Sequence, residues 1–82
     1  MGIYKSNLIK ILLGIKNPTK MSDFLSGLLT IRELSEIPVR LEIVRLLKKG
    51  VSQHVIAKKL GVGIATVTRG SKELSKGRFK NI

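Results

Sequence analysis

The chain has 82 residues, enough for one small domain, and its 16 lysines and arginines against 5 acidic residues give a net charge of +11. So strong a field on so small a chain favours a polyanionic partner and fast, salt-sensitive association. With no cysteine, 1 histidine and 5 scattered carboxylates, a disulfide framework and a thiolate metal site are excluded, and any other metal centre would be hard to build.

The apolar share is 43%, with 2 Phe, 1 Tyr and no Trp, so the core must be aliphatic, and an aliphatic excess on a short chain often ends in a subunit interface. From the amino terminus, Tyr4 to Lys16 reads as an amphipathic helix. Ile3, Leu8, Ile11, Leu12 and Ile15 recur at helical spacing between Lys5, Lys10 and Lys16. Lys10 interrupts the apolar run and no small-residue cleavage site follows, so no signal peptide is read. The run is too short to span a bilayer, and a cytoplasmic location without a membrane partner is expected. Asn17-Pro18 breaks the pattern, and a second short helix follows over Met21 to Leu29, with Ser22 or Thr19 as its expected cap.

Thr30-Ile31-Arg32-Glu33 fits a capping box, in which the threonine hydroxyl and the glutamate each satisfy one orphan amide. A helix through Ile31, Leu34, Ile37, Leu41, Val44 and Leu47 runs from it to the stop Lys48-Lys49-Gly50. Pro38 lies inside, and is expected to kink this helix or split it into Ile31–Ile37 and Pro38–Lys49. Ser52 caps a helix over Gln53 to Leu60 with Val55, Ile56 and Leu60 inward. Gly61-Val62-Gly63 is a turn, a last helix spans about Ile64 to Ser75, and residues 76–82 form a basic tail expected to be loose. No strand pattern competes. The expected fold is all-α: a single domain of about five helices over 1–82, with amino-terminal helices in 1–29 and a helix-turn-helix in 52–75.

That assignment rests on steric demands. Ala57 is small where two helices cross. Gly61 follows four residues later, where the turn needs a positive φ, and Val67 six after that, placed to pack on Ile56 and Leu60. The plain alternative is an ordinary helical hairpin, which leaves the charge without a role. In a helix-turn-helix the start of the second helix enters the major groove, so Ile64, Ala65 and Thr66 would face base edges. Threonine and small apolar side chains can meet thymine methyls or bridge through water. Thr68, Ser71 and the amides near Gly63 would hold phosphates, with Lys58, Lys59 and Lys72 as further phosphate partners or simply a solvated face. Gln53 and His54, at the start of the first helix, are within reach of the duplex, although a surface histidine is the plainer role for His54. No catalytic constellation emerges: Ser52, His54 and Asp23 lack the spacing of a triad, and Gly61 and Gly63 lack the strand and third glycine of a dinucleotide site.

Gly63-Ile64-Ala65-Thr66-Val67-Thr68-Arg69-Gly70-Ser71 resembles the signature of the bacterial tryptophan repressors. The resemblance extends through Ser52-Gln53 and Leu60-Gly61, and into Leu29-Thr30, Arg40 and Ile43-Val44-Arg45-Leu46-Leu47. It covers roughly Leu25 to Leu74. A sister group of repressor-like proteins shares parts of it, including Arg40-Leu41-Glu42. The resemblance implies an intertwined homodimer whose amino-terminal helices wrap the partner subunit. Two recognition helices would then meet successive major grooves of a palindromic double-stranded operator. It also implies a corepressor, L-tryptophan, and no other cofactor. Arg40 and Arg69 match the arginines that sandwich the indole and meet the carboxylate. Backbone groups near Leu29 and Thr30 of the partner subunit would receive the amino group, and Gly70 would line the pocket. A guanidinium plane suits both an aromatic face and a carboxylate.

Departures from the family pattern are Glu73, in place of a serine near the ligand's amino group, Gly27, in place of a bulky pocket-wall residue, and Pro38. A further helix that longer members carry after the recognition helix has no counterpart before Ile82. The expected function is therefore a ligand-gated DNA-binding repressor, not an enzyme. The alternatives are a DNA-binding protein of the same fold with no corepressor or a different ligand, and a membrane-surface module built on the basic amino-terminal helix.

Overall fold

A computed structural model describes residues 2–82, and among them every regular element is a helix. In chain order these are α1 (Gly2–Gly14), α2 (Pro18–Leu28), α3 (Ile31–Lys48), α4 (Gln53–Leu60) and α5 (Ile64–Ser75). The chain divides into two compact units, Met1–Leu34 and Ser35–Ile82.

In the first unit, α1 begins and ends two residues earlier than its periodicity suggested and buries none of its side chains. Ile3, Tyr4, Leu8, Ile9, Ile11 and Leu13 are all exposed. The start of α2 corrects the sequence expectation. The cap is Asn17, whose side-chain oxygen accepts the amide of Lys20 at 3.0 Å, and neither Thr19 nor Ser22 has that role. Pro18 occupies the first helical position, where its fixed φ is pre-organised and its missing N–H is no loss. The same Asn-Pro pair that ends α1 therefore starts α2. The capping box at the head of α3 is fully formed: the Glu33 amide donates to Thr30 Oγ1 at 3.1 Å, and the Thr30 amide donates to Glu33 Oε1 at 2.9 Å.

Of the two outcomes expected at Pro38, a kink or a split, the split does not occur: α3 is continuous from Ile31 to Lys48. Proline removes one amide donor, whereas a break would orphan several donors and acceptors at two new helix ends.

The core lies in the second unit, where Ile43 and Leu46 of α3, Ile56 of α4 and Val67 of α5 are buried together. Val39, Leu47, Val51, Ala57, Leu60 and Val62 pack around them. On α4 the inward stripe is Ile56, Ala57 and Leu60. Val55 is 54% exposed, contrary to the sequence expectation, because a residue next to Ile56 is rotated about 100° from it around the axis. Ser52 caps α4 through the Val55 amide at 3.4 Å. Gly61 closes α4 at φ +66, in the left-handed region that L side chains avoid. Gly61→Ala is expected to cost about 1 kcal/mol through backbone strain alone, since a Cβ there meets no atom within 4 Å. Urea unfolding followed by circular dichroism measures it.

Candidate nucleic-acid interface

α4, the turn and α5 form the helix-turn-helix that the spacing of Ala57, Gly61 and Val67 predicts. Val67 is wholly buried against the α3–α4 core and sets the rotation of α5. That rotation leaves Ile64, Ala65 and Thr66 exposed at the start of the helix. Gly63 is the N-cap and has no side chain to satisfy the first amides, so the positive end of α5 is open to an anion. Lys58 and Lys72 are exposed, as are His54 and Lys59, and Ser71 is half-buried.

Gln53 and Thr68 have a role the sequence did not reveal. The Thr68 hydroxyl donates to Gln53 Oε1 at 2.7 Å, a part-buried link between α4 and α5. It ties α4 to α5 and uses the threonine's one O–H, so in this arrangement the hydroxyl can accept from a water but has no proton left to give a phosphate oxygen.

On the other side of α5 lies a cavity of about 510 Å³. Thr66, Arg69, Gly70 and Glu73 line it, and their spacing of three, four and seven residues places them on one helical face. α3 supplies the opposite wall with Ile37, Arg40, Leu41, Ile43 and Val44. The structure thus brings together Arg40, Arg69, Gly70 and Glu73, four residues singled out in the sequence as a ligand set. Gly70 lies close against α3: a Cβ there would stand 3.1 Å from Ile43 Cγ2, a tight contact that this side chain would have to relieve by a few tenths of an ångström. Leu29 and Thr30 belong to the first unit, Leu29 in extended backbone after α2 and Thr30 in the capping box. Arg40 and Thr66 also border a second hollow of about 440 Å³ next to the turn.

The cavity's charges are partly engaged. Arg40 Nη2 lies 3.6 Å from Glu36 Oε2, one turn away, on an exposed surface where such a pair is worth little. Glu73 faces two cations of the following segment, Lys76 Nζ at 3.4 Å and Arg78 Nε at 3.4 Å. The hydrogen bond and charge of Lys76 hold the Glu73 carboxyl below its usual range, and Arg78 adds to this. Glu73 is therefore an anion at neutral pH. Among the described residues no group of three or more His, Cys, Asp or Glu is placed to hold a metal ion. No helix among them is long and apolar enough to cross a membrane.

The sequence missed the contribution of residues 76–82. They form successive turns rather than a loose tail, and Phe79 lines the cavity. A lone aromatic residue following Gly77 was the available signal.

These features define a helix-turn-helix protein with a ligand-sized cavity against its second helix. Comparison with known proteins places it further: the Trp repressor protein family matches residues 5–80, and the chain belongs to that family, a regulatory DNA-binding family rather than an enzymatic one. It is similar to the Trp operon repressor homolog of Vibrio vulnificus, 53% identical over 51 residues, covering 61% of this chain and 50% of that protein. It is also similar to the Trp operon repressor homolog of Chlamydia caviae, 43% identical over 61 residues, covering 73% of this chain and 60% of that protein. An uncharacterized protein of Bacillus subtilis, YerC, is 31% identical over 70 residues, covering 85% of this chain and 67% of that one. The chain thus spans about half the length of its Vibrio relatives. No solved structure matched.

Proposed function

We propose that the chain is a sequence-specific, DNA-binding transcriptional repressor that binds a palindromic operator as a homodimer in the cytoplasm, with L-tryptophan as its corepressor. The observation that carries DNA binding is the exposed start of α5, with Ile64, Ala65 and Thr66 presented at an uncapped helix N-terminus on a chain of charge +11. The dimer is supported by the exposed apolar side chains of α1, which need a partner surface, and by the family.

Corepression is supported by the cavity on the reverse face of α5. A ligand held between Arg40 and Arg69 touches the helix that reads DNA. If it binds the DNA-competent placement of α5 more tightly, it shifts the population toward that placement. Arginine can stack on an indole and pair with a carboxylate, and the Glu73 carboxylate can meet an ammonium group. A second possibility within the same fold is a ligand other than tryptophan, since Glu73 stands where the family pattern has a serine beside the ligand's amino group.

The deciding experiment selects operators from a random DNA pool with and without L-tryptophan, then measures affinities of variants for the selected site and a random duplex. Ile64→Ala and Thr66→Ala are each expected to weaken the selected site roughly tenfold and to leave the random duplex nearly unchanged. Equal losses on both duplexes would show that α5 does not read bases. No heat with L-tryptophan in calorimetry and no change in operator affinity would end the corepressor assignment.

A further inference from the structure

α5 does not simply run out into solvent. Its cap residue Lys76 donates its amide to the Lys72 and Glu73 carbonyls, and Gly77 then turns left-handed at φ +81. The amide of Gly77 donates to the Leu74 carbonyl at 3.0 Å, and that of Arg78 to the Glu73 carbonyl at 3.4 Å. The chain therefore folds back along the helix it has just left, and Phe79 reaches the cavity between α3 and α5. Two attachments hold it there. Lys48 Nζ on α3 donates to the Phe79 carbonyl at 2.9 Å and also to the Ile82 carbonyl, and Arg78 pairs with Glu73 at 3.4 Å. Phe79 is half-buried and is the one aromatic residue among the described residues that line this cavity.

We propose that Phe79 is a specificity-determining wall of this cavity, an aromatic surface on which a flat apolar ring packs while Arg40 and Arg69 meet its polar groups. The ligand depends on the corepressor assignment above. The placement of Phe79 does not. Aromatic rings gain from offset or edge-to-face contact beyond the area they bury, so a phenyl wall favours an aromatic amino acid over an aliphatic one of similar size.

The test uses the full chain, with L-tryptophan as the probe. Phe79→Ala is expected to weaken binding by roughly three- to tenfold in calorimetry, and Phe79→Tyr to keep most of the affinity. Unchanged or tighter binding by Phe79→Ala overturns the proposal, as does a tyrosine variant no better than alanine. Phe79→Trp tests the placement without any ligand. The chain has no Trp of its own, so all indole emission comes from position 79. Blue-shifted emission shielded from acrylamide supports the wall, and emission like that of hydrated indole overturns it. If the unaltered chain takes up no L-tryptophan, the corepressor assignment fails while this emission still decides where residue 79 sits.

Discussion

Ile56→Ala is expected to destabilise the chain by about 3 kcal/mol and to lower its melting temperature by more than 10 °C, roughly the effect of losing a buried branched side chain from a domain this small. Ile56 has no exposed surface and shares its cluster with Ile43, Leu46 and Val67, so the cavity left behind opens between all three helices of the second unit. A domain of this size has only a few kcal/mol in reserve. Thermal unfolding followed by far-ultraviolet circular dichroism measures the loss. Val55→Ala, one position earlier on the exposed face of α4, is expected to change stability by less than about 0.5 kcal/mol. Equal losses in the two variants would contradict the described rotation of α4.

The second large effect is on DNA. If Lys58, Lys59 and Lys72 each meet a phosphate, a dimer neutralises about six, and binding should fall with salt with a slope near five on logarithmic axes. Raising salt from about 50 to 200 mM would then cost about a thousandfold in affinity. Lys72→Gln, removing two of those contacts from a dimer, is expected to weaken selected and random duplexes alike and to lower the slope by about two. Fluorescence anisotropy across a salt series reads both quantities. An unchanged slope would remove Lys72 from the interface and leave it a solvated side chain at the end of α5.

Where local chemistry decides a structure, the sequence was legible. The capping box of Thr30 and Glu33, the Ser52 cap and the left-handed Gly61 each depend on residues within a few positions of one another, and each is formed. The cavity-lining set Arg40, Arg69, Gly70 and Glu73 was legible only through resemblance, since Arg40 and Arg69 are remote in the chain and no spacing rule joins them. Asn17 is hidden in the sequence because an Asn-Pro pair signals both a helix stop and a helix start. Val55 was misplaced because an apolar residue next to a core residue looks internal until the helix rotation is known. Pro38 shows that a helix breaker breaks only when the alternative ends are cheaper. Phe79 could not be placed, since its position depends on a reversal at Gly77 and on Lys48, 31 residues away.

The division of α5 into two faces has an evolutionary consequence. Thr66, Arg69, Gly70 and Glu73 face the cavity, while Ile64, Ala65, Thr68 and Lys72 point elsewhere on the same 12-residue helix. Substitutions on one face need not disturb the other, so under the proposed function a lineage could change the ligand bound in the cavity and keep its DNA sites, or the reverse. Thr66 belongs to both sets, exposed beside Ala65 and yet in the cavity wall. It is the position at which the two histories are bound together, and where a gain in one specificity is most prone to cost the other.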